Sequence, residues 1–377
     1  MIIVKEVKTN REIRQFVNFP LKLYKNNPCF VPPLYGDEIK ALKHKSPYED
    51  EIISKFFLAY KDDEVVGRIE GIIQKQYNEL KNEKRIRFTR FDCIDDVEVA
   101  KKLFEAVFSF GKEEGMTTCC GPLGASDFER EGLLIDGFDQ ISTFSEQYNY
   151  SYYQKLIESI GFKKEVDWVE SKLRPSENDK ETSIKLGKIS SLLLKKYDLH
   201  IAPTNISTAK YLDKYCDGFF DCVDIGYSKL YGTVPFKKET RRKIINQFKL
   251  ILKPKELIII LDKNEKVVAI GLSYPFIGKA ISKSGGRLTL PTLFRVLKAI
   301  RNPKVIELGL VCVLPEYLNT GINSVFLYKM IELLNSGKID YYETNLNLED
   351  NHNVRNQWKR FNSIEHKRRR SYCLSIK

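Results

Sequence analysis

The sequence lacks any hydrophobic run long enough to cross a bilayer. A membrane-spanning helix needs about 20 consecutive apolar residues, whereas the longest purely apolar runs here, such as residues 257–261, are far shorter. The opening stretch, MIIVKEVKTN, contains three charged residues, which argues against a secretory signal. We therefore expect a soluble, cytoplasmic protein with no membrane span.

The sequence also lacks the cysteine and histidine spacings that are typical of metal sites. Its eight cysteines form no C-x-x-C pair, and its four histidines are scattered. Cys119 and Cys120 are adjacent on a predicted strand, so their side chains point to opposite faces and cannot share a metal ion. Because reduced, buried thiols are usual in a cytoplasmic protein, we expect neither a metal nor a disulfide.

Basic residues outnumber acidic ones, with 62 Lys and Arg against 50 Asp and Glu and a formal net charge of +12. The excess suggests an acidic partner or ligand. A chain of 377 residues with 42% apolar content can bury a large core, and its length favours two domains. The segment RPSENDKETSIK has the composition of a solvated linker. We place this linker at 175–185, between a first half at 1–174 and a second half at 186–377.

The predicted elements follow the same order in both halves. Each half contains a β-hairpin, which turns at Asp62-Asp63 in the first half and at residues 263–265 in the second. A strand, an amphipathic helix (97–113 and 323–336), another strand, a short helix and a final strand follow each hairpin. Two such units in matching order predict an α+β fold with a tandem duplication.

The stretch VLPEYLNTGINSVFL, residues 313–327, is predicted to turn from a buried strand into a helix. Pro315 ends the strand, and Gly321 lies just before residues with helical apolar spacing. A glycine at such a junction often accompanies an anion that rests on the first N–H groups of the helix.

These residues carry a resemblance. VLPEYLNTGINSVFL, followed about thirty residues later by NLNLEDNHNVRNQW, resembles the GNAT superfamily of acyl-CoA-dependent N-acyltransferases, and more narrowly bacterial tandem-GNAT proteins. The likeness covers most of the chain and includes GPLGASDFEREGLLIDGFD, YNYSYYQKLIESIGF, GGRLTLP and KRRRSY. It implies two tandem domains, each a mixed, largely antiparallel sheet flanked by helices. The implied activity is transfer of an acetyl or other acyl group from CoA to a primary amine, by direct attack in a ternary complex.

The resemblance also implies where acyl-CoA binds. In a GNAT fold, the strand before the junction and the strand after its helix splay apart, and the cofactor lies in the gap. The backbone groups expected to bond the pantetheine belong to Leu310, Val311, Cys312 and Val313. The turn expected to offer N–H groups to the pyrophosphate comprises Asn319, Thr320, Gly321, Ile322 and Asn323, and Asn351 at the next helix completes the expected site.

The turn departs from the family pattern, Arg/Gln-x-x-Gly-x-Gly/Ala. Leu318 replaces the first residue and Asn323 the last, while the central Gly321 is kept. A helix N-terminus still offers unpaired donors and about half a positive charge. The alternative is a turn that Asn319 or Thr320 caps, with nothing bound.

The corresponding turn of the first half, DCIDDVEVAKK, contains no glycine. Its carboxylates, from Asp92, Asp95 and Asp96, would repel a pyrophosphate but suit the start of a helix. We therefore expect the first half to lack a CoA site, to wall off the cleft of the second half and to shape the pocket for the acceptor.

Acyl transfer needs a base for the amine and donors for the tetrahedral oxyanion. Strand alternation places Glu343 in a polar row on the second arm of the gap, and Glu307 lies near the start of the first arm. Either is a candidate base, directly or through a water. The alternative is that Glu343 only bonds Asn345 or a nearby Arg. The expected oxyanion donor is a backbone N–H around Val311 or Cys312.

The position that holds the general acid in many GNAT enzymes is occupied here by a tryptophan. Many GNAT enzymes place a tyrosine on the helix after the second arm, where it protonates the leaving thiolate. That place falls on Trp358, whose indole N–H is no useful acid. We expect Tyr372 on the last strand, or solvent, to take this role.

The charge is concentrated near the end of the chain. Residues 353–377 contain eight Lys or Arg and one acidic residue. The KRRR run at 367–370 is interpreted as a solvated strand end, or as a contact for the 3′-phosphate of CoA, an acyl carrier protein or a tRNA. Besides an acetyltransferase acting on a small amine, two alternatives remain: a Fem-like transferase that uses aminoacyl-tRNA, and a non-catalytic scaffold with the GNAT fold.

Overall fold

The computed structural model describes residues 1–177, 179–249 and 251–376. The elements of the first half are β1 Ile2–Glu6, α1 Asn10–Leu23, α2 Tyr35–Leu42, β2 Ile52–Lys61, β3 Glu64–Gln74, α3 Lys75–Lys81, β4 Arg85–Cys93, α4 Val97–Glu113, β5 Thr118–Gly121, β6 Leu133–Asp136, α5 Tyr152–Ile160 and β7 Lys163–Arg174. Those of the second half are α6 Asp179–Lys196, β8 His200–Ile201, α7 Thr208–Gly226, α8 Lys238–Phe248, β9 Leu257–Leu261, β10 Val267–Pro275, α9 Gly278–Ser282, α10 Leu290–Arg301, β11 Val305–Val313, α11 Asn323–Asn335, β12 Tyr341–Thr344, β13 Asn347–Leu348, α12 His352–Trp358 and β14 Asn362–Ser375.

Local sequence signals explain several of these boundaries. Asp62 and Asp63 adopt φ values of +50° and +62° in the turn between β2 and β3, a left-handed conformation that Asp tolerates better than most residues. Asp96 caps α4, since its side chain accepts a hydrogen bond from the Glu98 N–H at 3.0 Å. The predicted first hairpin and the helix that follows it are therefore confirmed.

The two halves share one sheet and exchange their last strands. The strand order is β1-β2-β3-β4-β5-β14-β7-β12-β11-β10-β9-β8. Strand β14, from the end of the chain, pairs with β5 of the first half, while β7 of the first half pairs with β12 of the second. Only β4–β5 and β11–β12 are parallel among the described pairs, so the α+β class and the mixed, largely antiparallel sheet are confirmed.

The segment predicted as a linker, 175–185, is helical from Asp179 onward. The Asp179 carboxylate accepts hydrogen bonds from the N–H and hydroxyl of Ser176, and Lys185 pairs with Glu181 at 2.6 Å along the helix. Lys180, Glu181 and Lys185 thus belong to the exposed surface of α6, whereas Asp179 is buried. Asn178 lies outside the described residues, and a functional division of the chain at this segment stays a prediction.

The apolar cores also connect the halves. The largest buried cluster combines β9, β10 and α7 with first-half residues such as Val31, Tyr48 and Ala125. A second cluster, around α4, contains Tyr372 from the last strand of the chain. No helix in the described ranges is long and apolar enough to cross a membrane.

The KRRR run lies inside this shared sheet, and its interpretation as a solvated strand end is wrong. The side chains of Lys367 and Arg369 are 0% exposed, and both lie within 2.7 Å of a Glu170 carboxylate oxygen. Arg368 and Arg370 pair with Asp167 at 3.3 Å and 2.7 Å. Because β14 has strands on both sides, its alternate cations face buried carboxylates. Lys367 and Arg369 are therefore closed to CoA, to a carrier protein and to tRNA.

Candidate active site

The predicted gap between β11 and β12 is present. The two strands pair in parallel from Val305 to Leu308 on β11, and β11 then continues to Val313 with β10 as its strand partner. Gly309 is an extra residue in the β10 register, and a Cβ at this position would lie 3.0 Å from Tyr274 Cε1. The resulting bulge separates the strands, as expected for an irregularity of this kind.

Backbone groups of β11 point into the gap. The Leu314 N–H donates to the carbonyl of Val268 on β10 at 2.9 Å. Because hydrogen-bonding groups alternate along a strand, the N–H and C=O of Val311 and Val313 face away from β10. Consistently, the Tyr227 hydroxyl donates to the Val311 carbonyl at 3.1 Å. Of the predicted oxyanion donors, Val311 therefore faces the gap.

A cavity of about 1030 Å³ occupies this gap and extends into the first half. Seven of the predicted cofactor residues line it: Leu310, Val311, Cys312, Val313, Asn319, Asn323 and Asn351. Thr320, Gly321 and Ile322 do not contribute to its wall in the described part of the chain. The side chain of Asn351 caps α12, accepting from the Val354 N–H at 3.3 Å.

The turn before α11 has no side-chain cap. Residues Pro315–Thr320 form a 3-10 turn, and Gly321 follows with a left-handed φ of +84°. The Thr320 hydroxyl donates to the Tyr317 carbonyl at 2.7 Å, so the alternative of a cap from Asn319 or Thr320 is wrong. The Ser324 and Val325 N–H groups donate to the Gly321 and Ile322 carbonyls at 2.9 Å and 3.0 Å, so an anion at this turn would share these donors but would meet no capping side chain.

Buried ion pairs line the first-half end of the cavity. Beyond the paired part of β4 and β5, Arg90 adopts a φ of +47° and pairs with Glu38 at 3.0 Å and Glu70 at 2.5 Å. Asp92 is buried and lies 2.8 Å from Arg68 Nε. Arg68, Arg90 and Asp92 line the same cavity that opens from the second half, so its first-half end is charged. The expected lack of a CoA site in the first half stays a prediction.

Glu343 lies on β12 but not on the cavity wall. Its Oε1 lies 2.8 Å from Lys367 Nζ and 2.7 Å from His366 Nε2. Burial opposes ionisation of Glu343, but the charges of Lys367 and His366 outweigh it and lower the pKa. Glu343 is thus a partner in a buried ion network, with Lys367 rather than the expected Asn345 or Arg beside it.

Glu307 pairs with Glu343 in the β11–β12 register and is also buried. Burial, together with the nearby Glu343 charge, raises the pKa of Glu307 to about 8. Its Oε1 accepts from the Phe144 N–H at 3.2 Å, and its Oε2 has no partner among the described residues. Since Phe144 lines the cavity, Glu307 lies directly behind the wall.

Tyr372 lies away from the cavity, in the apolar core around α4. Its hydroxyl donates to Glu158 Oε1 at 3.1 Å. Since β14 joins the sheet of the first half, the structure does not bring Tyr372 to the gap. The prediction that Tyr372 protonates the leaving thiolate is therefore wrong. Trp358 does line the cavity, where its indole N–H donates to Asn347 Oδ1 at 2.8 Å.

Three carboxyl groups in the cavity wall were missed by sequence reasoning. Burial raises the pKa of Asp127 to about 7 and that of Glu146 to about 8, and burial with the Asp127 charge raises the pKa of Glu131 well above its ordinary value. Asp127 Oδ1 and Glu131 Oε1 have no partner within the described ranges. The acidic, glycine-bounded stretch GASDFEREG was the available signal for Asp127 and Glu131.

Strand pairing also gathers three side chains that the sequence places far apart. Ligand atoms of Cys120 on β5, Glu165 on β7 and Cys373 on β14 lie within 4.8 Å of one another. Arg85 approaches the same group, 2.6 Å from Glu165 Oε1 and 3.6 Å from Cys120 Sγ. This guanidinium already neutralises the carboxylate, which disfavours a metal cation at these three side chains. The expected lack of a metal stays a prediction.

Comparison with known proteins supports the fold. No protein-family model matches the chain. It is 26% identical over 387 residues to Protein YghO of Escherichia coli (strain K12), covering 99% of this chain and 95% of that protein. It is 24% identical over 288 residues to the bacterial ceramide synthase of Caulobacter vibrioides (strain NA1000 / CB15N), covering 75% and 72%.

Solved structures agree with this architecture. A tandem GNAT protein from the clavulanic acid biosynthesis pathway matches with a TM-score of 0.57 and 11% identity over 100% of this chain and 99% of that one. A GCN5-related N-acetyltransferase from Sphaerobacter thermophilus matches with a TM-score of 0.51 and 9% identity over 100% and 96%. The chain therefore has the tandem GNAT fold, the architecture of acyl-CoA-dependent N-acyltransferases.

Proposed function

We propose that this protein is an N-acyltransferase that moves an acetyl or other acyl group from CoA to a primary amine in a ternary complex. The observation that carries the proposal is the open gap of the second half. It combines inward-facing backbone groups at Val311 and Val313, an uncapped N-terminus at α11, and a cavity of about 1030 Å³.

The donor fits the gap as an added strand. The pantetheine amides exchange hydrogen bonds with the free backbone groups of Val311 and Val313, and the pyrophosphate rests on the turn at 319–323. The Tyr227 hydroxyl, which donates to the Val311 carbonyl, yields that acceptor to a pantetheine N–H. The Val311 N–H then stabilises the oxyanion that forms when the thioester carbon becomes tetrahedral.

The acceptor amine fits the first-half part of the cavity. Asp127 and Glu131 present carboxyl oxygens without hydrogen-bond partners among the described residues. An ammonium group of the acceptor would donate hydrogen bonds to these oxygens. With a pKa near 7, Asp127 is ionised in a substantial fraction of molecules at neutral pH and can accept a proton from the amine. The amine nitrogen then attacks the thioester carbon and the C–S bond breaks. The second proton of the attacking nitrogen passes to the leaving sulfur, so that CoA leaves as its thiol.

The Caulobacter relative favours an acceptor with an apolar chain. That protein is named a bacterial ceramide synthase, and a ceramide is the amide of a long-chain amine. Besides its carboxyl groups, the cavity is lined by apolar side chains that include Phe144, Leu272, Phe326 and Met330. We extend the proposal to amines, or acyl groups, with a long hydrocarbon chain.

The test is release of free CoA thiol from acetyl-CoA and long-chain acyl-CoAs in the presence of a panel of primary amines. Release that depends on both acyl-CoA and an amine, with the amide identified by mass spectrometry, is the expected result. Failure of every acyl-CoA to bind in calorimetry would favour the scaffold alternative. Transfer from aminoacyl-tRNA instead would favour the Fem-like one.

A further inference from the structure

The surface around α10 exposes large apolar side chains. Leu290 and Phe294 are 74% and 73% exposed, and Leu288 and Leu297 are also exposed. Positions 290, 294 and 297 are separated by four and three residues, so they form one stripe along the helix. Val296 and Ile300 lie on another side of α10 and pack into the core. The exposed stripe is thus separate from the face that holds α10 to the protein.

The same surface is strongly basic. Residues 276–306 contain seven Lys or Arg and no Asp or Glu, which accounts for more than half of the net +12. Lys279, Lys283, Lys298 and Arg301 are exposed and form no ion pair in the described part of the chain. We define the α10 face as the four apolar residues Leu288, Leu290, Phe294 and Leu297 together with these four cations.

We propose that the α10 face docks on an anionic lipid surface. An apolar stripe flanked by Lys and Arg is the pattern of helices that lie in a membrane interface, where the apolar side chains enter the headgroup region and the cations contact anionic headgroups. A contiguous exposed apolar patch on a monomer marks an interaction site. Charge complementarity selects the anionic lipid, since a second copy would bring the same unpaired cations together.

The α10 face is continuous with the cavity. Leu288 is exposed on this face and also lines the cavity, together with Val296 of α10 and Ile277 before α9. A molecule with an apolar chain would therefore meet an apolar side chain, Leu288, where the lipid surface adjoins the cavity. This step rests on the proposed function, whereas the docking itself does not.

Docking is tested by co-sedimentation of the full chain with vesicles. Binding is expected with mixed phosphatidylglycerol and phosphatidylcholine at low salt, and little binding with phosphatidylcholine alone or at high salt. Lys298→Ala with Arg301→Ala should weaken partitioning about 25-fold, about fivefold for each cation. Leu290→Ser with Phe294→Ser should weaken it by about tenfold or more.

Matched controls lie on other helices. Leu80→Ser removes an exposed leucine from α3, and Lys101→Ala with Lys102→Ala removes two exposed cations from α4. Both controls should keep full vesicle binding. An absence of binding to anionic vesicles at low salt would overturn the proposal, and so would equal losses in the control variants. A concentration-dependent dimer that Phe294→Ser abolishes would show instead that a second copy covers this face.

Discussion

At the scale of single residues, Gly321 is the sharpest probe of the cofactor site. Its φ of +84° is left-handed, and an added Cβ would make only an ordinary 3.4 Å contact with Leu193. Gly321→Asp and Gly321→Asn therefore share the same backbone strain and size, but only Asp adds a charge. A charge about 8 Å from a phosphate costs roughly 2 kcal/mol at an effective dielectric constant of about 20. Calorimetry should show CoA affinity about 30-fold weaker for Asp than for Asn.

Equal affinities in the two variants would place the pyrophosphate elsewhere. The uncharged Asn variant also tests the turn itself, because Asn is tolerated at positive φ. If Gly321→Asn already abolished binding while the protein remained folded, the backbone shape of the turn rather than its charge would determine the affinity.

Asp127 is predicted to serve function at the expense of stability. Its pKa is raised from an ordinary value near 3.8 to about 7, so the folded state binds more protons than the unfolded state between these two pH values. Stability contributed by this group therefore falls as pH rises from about 4 to 7. Asp127→Asn should raise the free energy of unfolding at pH 8 by about 2–4 kcal/mol, with the gain disappearing below about pH 4.

The same variant should lose activity. If Asp127 accepts the proton of the amine, kcat/KM of the wild type rises with pH through about 7, and Asp127→Asn flattens that rise. Glu129→Gln is the matched control, since Glu129 is partly exposed and already accepts from the Ala125 N–H at 2.7 Å. Denaturation curves and pH–rate profiles measure the two effects. A stabilised Asp127→Asn variant with full activity would contradict the assigned role.

At the scale of elements, β14 depends on buried charge. Lys367 lies between Glu170 and Glu343, and its removal would leave two buried carboxylates with fewer partners. Lys367→Met should lower the free energy of unfolding by about 3–5 kcal/mol, and a second change, Glu343→Gln, should recover part of that loss. Lys164→Met removes a half-exposed partner of Asp167 and should cost at most about 1 kcal/mol.

Urea denaturation at neutral pH measures these differences. The effect also has a direction in pH, because Lys367 and Arg369 overcome the burial of Glu170 and lower its pKa to about 2. The stability that this ionised carboxylate contributes is present above its unfolded pKa of about 4.3 and is lost as pH falls through about 2. If Lys367→Met left the free energy of unfolding unchanged at pH 7, Arg369 alone would be sufficient to neutralise Glu170.

Elements set by local signals could be predicted from the sequence, and those set by distant pairing could not. The Asp62-Asp63 turn and the Asp96 cap need only neighbouring residues. The burial of the KRRR run could not be predicted because it comes from β6 and β7, more than 190 residues earlier in the chain. α10 is an exception, because it was not predicted although Thr289 caps it by accepting from the Thr292 N–H and its apolar residues recur at helical spacing.

The candidate site also contains a part that a local motif predicts and a part that depends on distant residues. The gap, the left-handed Gly321 and the cavity position of Asn319 and Asn323 follow from one continuous motif of β11 and α11. Asp127 and Glu131 come from the other half of the chain, and an acidic loop ordinarily indicates a solvated surface. Their burial depends on how the halves meet, which composition and spacing do not encode.

At the scale of the whole molecule, the exchange of β7 and β14 predicts that the two halves unfold as one unit. Each half supplies a strand at the centre of the shared sheet, and the largest core cluster contains residues of both. Expression of the first half without β14 would leave β5 and β7 with exposed edges. We therefore expect the intact chain, rather than separated halves, to be the proper material for ligand tests.

Cooperative unfolding gives a quantitative prediction for ligand binding. Ligand at a hundred times its dissociation constant stabilises the folded state by about 2.7 kcal/mol. With an unfolding entropy of about 2.1 cal/mol/K per residue, the melting temperature should rise by about 3 °C if all 377 residues unfold together. It should rise by about 7 °C if a half of about 190 residues unfolds alone. Calorimetric scans with acetyl-CoA and long-chain acyl-CoAs distinguish these outcomes.

The two candidate turns can then be compared in the intact chain. Gly321→Asp should reduce the rise in melting temperature to about a third, because a 30-fold weaker affinity leaves the same ligand concentration at only about three times the dissociation constant. Asp95→Ala should keep the rise, since Asp95 is exposed at the first-half turn and does not line the cavity among the described residues. A rise that persists in full in Gly321→Asp and disappears in Asp95→Ala would place the cofactor in the first half. A separate transition that shifts by about 7 °C would show that the exchanged strands do not couple the halves.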